Sequence, residues 1–201
     1  MAATGSIVTS ADGGTRLPTG GLEVIRTLEL RSSAQQSLLA FAIGSSRIDG
    51  QCIGWLPTAA YVGAHEQGRI VACYNNADLV GYILWGTNNG IIRCFVVWVR
   101  RDARLILHGR ALVDAIAEIG VQRGCTRIEL WCAVDLAANF FWDALGFTRV
   151  CWRWGRAKRG RRHWLWRQRI MPDDDTPRRG TLSLPVALAR PTEKTLLPPA
   201  W

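Results

Sequence analysis

The spacing of apolar residues changes repeatedly along the chain, and each change predicts a new strand or helix. A short apolar run, or alternation of apolar and polar positions, is typical of strands, whereas apolar residues three or four apart are typical of helices. The predicted strands cover 22–30, 70–74, 79–85, 91–99, 127–132, 147–154 and 163–169. The predicted helices cover 32–43, 57–67, 109–123 and 137–145.

The order of these elements predicts how the strands pair. Short turns over 75–78 and 87–90 separate three successive strands, which favours an antiparallel meander. The helix over 109–123 lies between two strands, and such a crossover joins parallel neighbours. The almost wholly apolar strand over 91–99 is typical of a central strand that is buried on both faces. We therefore expect an α/β fold with a central mixed β-sheet and helices on both faces.

The two ends of the chain differ in composition from the middle. Residues 1–20 are rich in Gly, Ser, Thr and Ala, so we expect a flexible N-terminal arm. Residues 171–201 are Pro-rich without a long apolar period, which favours a disordered C-terminal tail and leaves one domain over 21–170. No apolar run approaches the ~20 residues of a membrane helix, and the first residues lack a signal peptide. We therefore expect a cytoplasmic protein with no membrane partner.

The net charge and the cysteines indicate which partners, disulfides and metal ions to expect. The chain of 201 residues carries a formal charge of +9, which favours polyanionic partners. Its six cysteines form no C-x-x-C pair and no cluster with histidine at metal-binding spacing. Most lie within apolar runs, where a free thiol behaves as a small apolar side chain. We therefore expect reduced, buried thiols and no bound metal.

A buried strand, a short loop and the start of a helix follow one another over 91–123. Free backbone N–H groups at a helix N-terminus attract phosphate, and the helix dipole adds to the attraction. Arg104 in the loop and Arg110 in the first helical turn would add charge-assisted hydrogen bonds to a pyrophosphate. The segment therefore predicts a phosphate-binding loop.

This loop resembles the acyl-CoA loop of the GNAT family of N-acetyltransferases, which reads V-x-P-x-x-R-x-x-G-x-G-x-x-L. The residues that match are Val99, Arg104, Gly109 and Leu112. Arg101 stands at the position of the proline, and Leu107 stands at the position of the first glycine. A side chain at this glycine position would crowd the pyrophosphate of CoA, because the family's loop brings the backbone close to it.

A second segment resembles the family's A-x-x-F-Y-x-x-x-G-F, a helix beside the thiol end of CoA. The residues that match are Ala138, Phe141, Gly146 and Phe147. Trp142 replaces the tyrosine that protonates the leaving thiolate in many members. An indole N–H donates a hydrogen bond but does not act as an acid.

The resemblance implies a GNAT-like acyl-CoA N-acyltransferase fold, acetyl-CoA as co-substrate and direct attack of an amine on the thioester. It also implies that the strand over 96–99 separates from the strand over 127–132, so that backbone groups of the first strand bind the pantetheine arm. The residues that it places at acetyl-CoA are Val97, Val99, Arg104, Leu105, Ile106, Leu107, His108, Gly109, Arg110, Asn139 and Trp142.

The sequence does not single out one residue as the general base that deprotonates the acceptor amine. Asp135 is one candidate, although an Asp just before the helix over 137–145 also suits an N-cap. Cys132 is another, although apolar strands also bury structural thiols. For His108 a polar role within the loop is favoured over catalysis. The acceptor amine is unidentified at this point.

The last two predicted strands alternate arginine with tryptophan, as though one face were cationic and the other aromatic. Between residues 149 and 169 the chain has nine cationic residues and no acidic one. Guanidinium groups bind phosphates and exposed indoles stack on unpaired bases, so nucleic acid is an alternative substrate or partner. The residues in question are Arg156, Lys158, Arg159, Arg161, Arg162, Trp164 and Trp166.

Three further interpretations of this chemistry stay open. The tryptophans could pack in the core while the arginines face solvent, or the hairpin could bind an acidic protein or peptide. Leu107 and Trp142 also permit a GNAT-like binding module that has lost catalysis. Among all the interpretations, the two motifs favour an acyl-CoA-dependent N-acetyltransferase.

Overall fold

The computed structural model describes residues 21–48, 56–104, 107–155 and 160–170. Within these residues the strands are β1 (Leu22–Arg26), β2 (Ile70–Asn75), β3 (Asp78–Asn88), β4 (Ile91–Val99), β5 (Arg127–Ala133), β6 (Thr148–Trp154) and β7 (Arg162–Arg169). The helices are α1 (Ser32–Ile48), α2 (Thr58–Glu66), α3 (His108–Gln122) and α4 (Ala138–Ala144), with 3-10 turns at Thr27–Glu29 and Arg101–Ala103. The predicted arm over 1–20 and tail over 171–201 lie outside the described residues.

The strands form one mixed sheet, in the order β1-β2-β3-β4-β5-β7-β6. Strands β1 to β4 pair antiparallel, and β4 pairs parallel with β5 because α3 carries the chain across between them. Strand β7 pairs antiparallel with β5 and with β6, which leaves β6 at the edge. The predicted meander, the parallel pair and the mixed sheet are confirmed.

Helices pack on both faces of the sheet. On one face, Leu112 and Ile116 of α3 pack with Ile83 of β3 and with Trp166 of β7. On the other face, Leu38 of α1 and Tyr61 of α2 pack with residues of β2, β3 and β4. These two apolar layers hold the sheet between them. None of the helices in the described ranges is long and apolar enough to cross a bilayer.

Strand β4 contributes to both layers, and its register shifts at Phe95. Trp85 of β3 pairs with Cys94, whereas the preceding residue, Leu84, pairs with Val96. Phe95 is therefore the extra residue of a β-bulge. Cys94 belongs to the layer of α3, and Val96 belongs to the layer of α1 and α2. Strand β4 thus packs in apolar surroundings on both faces, as its nearly continuous apolar run predicted.

Two predicted boundaries are wrong by about four residues or more. The first strand ends at Arg26 rather than continuing to residue 30, and a 3-10 turn follows it. Helix α1 was expected to end near Gly44 but continues to Ile48. A glycine inside a helix costs about 1 kcal/mol relative to alanine. The buried Ser45 hydroxyl offsets this cost, since it hydrogen-bonds the Ala42 carbonyl and the Tyr82 hydroxyl at 2.9 Å each.

Candidate active site

The parallel strands β4 and β5 pair over only three residues each. Ile91–Arg93 are in register with Arg127–Glu129. Beyond these residues β4 and β5 continue without pairing with each other. A cavity of ≈ 130 Å³ opens where they part. Its lining comes from β4 (Cys94, Phe95, Val96, Val97), β5 (Leu130, Trp131, Cys132, Ala133), α4 and the segment before it (Leu136, Ala138, Trp142) and the final hairpin (Arg161, His163).

The cavity passes between the two strands and is lined from both faces of the sheet. Cys132 and Trp142 belong to the apolar layer of α3 and α4. Side chains alternate along a strand, so Trp131 lies on the opposite face from Cys132. His163 pairs with Ala133 and therefore shares the face of Trp131. Side chains from both faces of the sheet thus meet at the gap between the strands.

Helix α3 begins beside the end of β4, as the phosphate-loop prediction requires. Leu107 is its N-cap and has a left-handed backbone, with φ 57° and ψ −1°. Leucine rarely adopts this conformation, which glycine adopts freely. The backbone shape expected of the family's first glycine is therefore kept, with a leucine side chain that is 60% exposed. The predicted loop residues Leu105 and Ile106 lie outside the described residues.

The first two residues of α3 are held by packing rather than exposed. His108 is buried, and its Nδ1 lies 2.8 Å from the Ala103 carbonyl, so Nδ1–H donates to that carbonyl and fixes the loop. Gly109 packs against the ring of Phe141, where an added Cβ would come within 3.1 Å of two ring carbons. The lack of a side chain at Gly109 therefore serves the packing of α3 against α4.

The two arginines expected at the pyrophosphate have partners within the chain. Arg104 Nε donates to the Val99 carbonyl at 2.9 Å, so two of the predicted acetyl-CoA contacts touch each other. Arg110 pairs with Asp114 one turn further along α3, at 3.3 Å. Both arginines lie near the C-terminal end of β4 and the start of α3, but neither is among the residues that line the cavity. Because each has a partner within the chain, neither guanidinium group is held for phosphate alone.

Two of the predicted contacts, Trp142 and Asn139, lie on α4. The Trp142 ring is buried and, like Cys132, lines the cavity. Asn139 is also buried, and its side-chain amide donates to the carbonyls of Ala133, Val134 and Leu136 at 2.8, 3.2 and 2.7 Å. This side chain therefore holds the turn between β5 and α4.

A model of the Acetyltransferase (GNAT) family matches residues 36–147, which is more than half of the chain. The chain belongs to the GNAT acetyltransferase family. The matched range contains the loop before α3 and all of α4, including the two segments on which the resemblance was based. No curated protein sequence matches the chain.

Solved structures with the GNAT fold superpose on most of the chain. The ribosomal-protein-S18-alanine N-acetyltransferase of Escherichia coli is 14% identical with a TM-score of 0.57, over 78% of this chain and 99% of that one. The yncA protein of Salmonella typhimurium, solved with its cofactor acetyl-CoA, is 12% identical with a TM-score of 0.61, over 79% and 99%. At such identities these likenesses establish the fold.

Neither candidate base of this GNAT chain is suited to accept a proton. Asp135 does not cap α4; it pairs with Arg161 through contacts of 2.7 to 3.2 Å, so the N-cap prediction is wrong. The hydrogen bonds from Arg161 hold the pKa of Asp135 below its usual range. Burial raises the pKa of Cys132 to about 11, which keeps its thiol neutral. Cys132 lines the cavity, whereas Asp135 is not among the lining residues and is connected to them through Arg161.

His163 is the cavity residue that sequence reasoning missed. Its Nδ1 lies 3.2 Å from the Arg161 carbonyl, and because a carbonyl only accepts, Nδ1 carries the proton. The neutral ring then keeps a lone pair on Nε2. Gly155 packs on the ring, since an added Cβ would lie 2.6 Å from His163 Cε1. The available sequence signal was position: His163 begins the strand that pairs with the end of β5.

Glu129 marks the point where β4 and β5 part. Its carboxylate is 2% exposed and bonds Arg93 at 2.6 Å, Arg127 at 2.9 Å and Arg167 at 2.8 Å. Burial favours the protonated carboxyl, but the hydrogen bonds from Arg127 and Arg167 and the charge of Arg93 outweigh it and lower the pKa. This carboxylate ties β4, β5 and β7 together and is too strongly paired to act as a base.

The basic hairpin differs from its prediction in three ways. Trp166 has no exposed surface, so its assignment to base stacking is wrong. Trp164 is half-buried against the α3 layer. The expected separation of faces is also wrong, because Arg149 lies over the ring of Trp166 at 4.9 Å and Arg162 pairs opposite Trp154. Residues 156–159 of the loop, with Arg156, Lys158 and Arg159, lie outside the described residues.

The remaining thiols and potential metal ligands form no site in the described ranges. Cys73, Cys94 and Cys125 are buried like Cys132, as predicted, but Cys151 is exposed on the edge strand β6. Cys52 lies outside the described residues. Within the residues that the structure describes, no group of three or more His, Cys, Asp or Glu side chains could hold a metal ion.

Proposed function

We propose that the chain is an acyl-CoA-dependent N-acyltransferase, most simply one that transfers an acetyl group from acetyl-CoA to an amine. The observation that carries the proposal is the cavity between the parted strands β4 and β5, lined from both faces of the sheet. The membership of the GNAT family and the helix start at His108 support an acyl-CoA co-substrate at this gap. The thiol end would lie on the side of Trp142, and the amine would approach past Trp131 and His163.

In the proposed reaction, the main work of the protein is to align the amine with the thioester carbon. The amine nitrogen attacks that carbon, the carbonyl oxygen takes up negative charge, and the C–S bond breaks as the carbonyl re-forms. Backbone N–H groups of β4 that lack a partner on β5 would stabilise the oxygen. Trp142 can donate a hydrogen bond to sulfur but cannot supply a proton, so the thiolate takes its proton from solvent.

The proposed base is His163. The attacking nitrogen must be unprotonated and must lose one proton as the amide forms. The lone pair on His163 Nε2 can accept a proton, and the bond from Nδ1 to the Arg161 carbonyl holds it on the acceptor side of the cavity. The paired Asp135 and the neutral Cys132 thiol fit this role less well, for the reasons given above. Asp135 would instead position the hairpin, because it holds Arg161, which precedes His163 by two residues.

Two measurements test this function. Calorimetry with acetyl-CoA tests binding, and release of free CoA thiol in the presence of a panel of amines tests transfer. His163→Asn keeps a donor near the Arg161 carbonyl but removes the base, so we expect kcat to fall by about 100-fold, within the range for general-base loss, with acetyl-CoA affinity kept. His65→Gln, a change on α2 away from the cavity lining, is the matched control and should leave kcat unchanged.

The outcomes separate the competing functions. Absence of acetyl-CoA binding would remove the proposal altogether. Binding without transfer to any amine would favour the non-catalytic GNAT-like module. Transfer that survives in His163→Asn would show that another group or water accepts the proton. Gly155→Ala gives an independent check, since its Cβ would displace the imidazole and should lower kcat in the same direction.

A further inference from the structure

The edge hairpin of β6 and β7 presents an exposed row of indole and guanidinium groups, which we call the Trp–Arg ladder. It consists of Trp152 and Trp154 on β6, Arg162 on β7 and Arg149 at the start of β6. Trp154 pairs directly with Arg162, and Trp152 pairs with Trp164, so these side chains share one face of the sheet. The ladder lies outside the residues that line the cavity.

The two indoles are unusually exposed for their size. Trp152 is 49% exposed and Trp154 is 61% exposed, on a strand whose seven residues are all exposed. Their ring centroids lie 5.9 Å apart at 88°, so neither ring stacks flat on the other. Each indole therefore keeps ring surface available to a planar group. Large aromatic surface of this kind marks an interaction site more often than a solvated surface.

The cations of the ladder lie next to these rings. Arg162 is 5.8 Å from the ring of Trp152 and 5.9 Å from the ring of Trp154, while Arg149 lies over Trp164 and Trp166. In the part of the chain that the structure describes, neither guanidinium has a carboxylate within 4.0 Å. The sequence over 149–169 adds further cations and no acid. The surface thus combines aromatic planes with positive charge that internal ion pairs leave unneutralised.

We infer that the Trp–Arg ladder binds single-stranded nucleic acid. Unpaired bases offer planar faces that stack on indoles, and phosphates complement guanidinium groups. A duplex hides its base faces in the stack, so it would meet only the charge of this surface. An acidic protein would likewise use the charge but would not need two exposed indoles. This inference is independent of the proposed acyl transfer, because the ladder and the cavity are formed by different residues.

The test measures binding of a short fluorescent oligo-dT or oligo-U by anisotropy, with a duplex of mixed sequence and heparin as competitors. We expect the single strand to bind at low salt and to be displaced poorly by the duplex. Trp152→Ala and Trp154→Ala should each weaken binding about 5- to 100-fold, as expected for the loss of one stacked base. Phe140→Ala, which removes another exposed aromatic ring, is the matched control and should have no effect.

The charge is tested separately. Arg162→Gln should make the slope of log affinity against log salt less steep by about 0.7, the value for one phosphate contact on a single strand. Arg123→Gln is the matched control, because Arg123 also lies over an indole, that of Trp85 at 4.9 Å, but outside the ladder. Circular dichroism and thermal unfolding show that each variant is folded, and acetyl-CoA affinity, measured by calorimetry, should stay unchanged.

Three results would overturn the inference. One is the absence of single-strand binding at low salt. Another is displacement of the single strand by duplex as effective as that by heparin, together with no effect of the tryptophan substitutions. This result would show that the surface binds polyanions through its charge alone. The third is a dimer in solution that becomes monomeric in Trp152→Ala or Trp154→Ala, which would make the ladder a contact between two copies of this chain.

Discussion

Trp166 of β7 donates its indole N–H to the side-chain oxygen of Asn139 of α4, at 3.0 Å in the buried interior. The amide nitrogen of the same asparagine donates to carbonyls in the turn that joins β5 to α4. One buried side chain thus connects a helix, a turn and a strand that are distant in sequence. Its hydrogen-bonding capacity is taken up by the protein, which gives Asn139 a structural role beside the cavity.

We expect Asn139→Ala to destabilise the fold. The change leaves the Trp166 N–H and the turn carbonyls unsatisfied, and a buried unpaired polar group costs about 1–3 kcal/mol. The free energy of unfolding, from urea denaturation, should fall within this range or slightly above it. Gln168→Ala is the matched control, because Gln168 also anchors this region, through a half-buried bond to the Leu145 carbonyl. A smaller loss in Asn139→Ala than in Gln168→Ala would contradict the structural role.

We expect Leu107→Gly to stabilise the protein by about 0.5–1 kcal/mol, because it relieves a left-handed backbone that leucine tolerates poorly. Leu107→Ala is the matched control: it also removes the exposed side chain but keeps the strain, so stability should change little. Thermal unfolding of the three proteins checks the order. Acetyl-CoA affinity that rises in both variants would identify the side chain, rather than the backbone, as the obstacle to binding.

We expect Glu129→Gln to cost at most about 3 kcal/mol, since it leaves three arginines around a neutral group and each arginine is about a third exposed. The folded-state pKa of Glu129 is lowered, so its contribution to stability is present above the ordinary value of 4.5 and is lost as pH falls through the folded pKa. Urea denaturation at several pH values should show a smaller acid-induced loss of stability in the variant. Equal pH dependence in both proteins would contradict this account.

We expect Cys132→Ala to keep kcat within a few-fold. Burial raises the pKa of this thiol to about 11, so only about a thousandth of it is thiolate at pH 8. Iodoacetamide should therefore label the exposed Cys151 much faster than Cys132, as followed by mass spectrometry of peptides. A loss of activity comparable with that of His163→Asn would instead restore Cys132 as a catalytic candidate.

The sequence predicted the layered fold because local patterns determine it. The apolar period of α3, the turns of the meander and the two family segments define the order of elements, and that order permits few sheets. The boundaries of β1 and α1 were wrong because contacts distant in sequence decide them. The contact between Ser45 and Tyr82, for example, joins residues 37 positions apart and extends α1 beyond Gly44.

The site was predicted less completely, for a similar reason. The loop at Leu107 and the helix with Trp142 were identified because each carries a contiguous segment. His163 was missed because its position opposite Ala133 depends on β7 entering the sheet between β5 and β6, which no local pattern specifies. The same insertion buries Trp166 and leaves Trp152 and Trp154 exposed on the edge hairpin, although all three have similar sequence surroundings.

The bulge at Phe95 lies in β4, a strand that lines the cavity and packs in both apolar layers. Cys94 before it belongs to the layer of α3, whereas after it Val96 belongs to the layer of α1 and α2 and Val97 packs against the layer of α3. A packing defect introduced far from the cavity, on either side of the sheet, is thereby transmitted to the same strand. A substitution in β4 must therefore fit the packing of both apolar layers at once. We expect β4 to tolerate fewer substitutions during evolution than the exposed residues around the cavity.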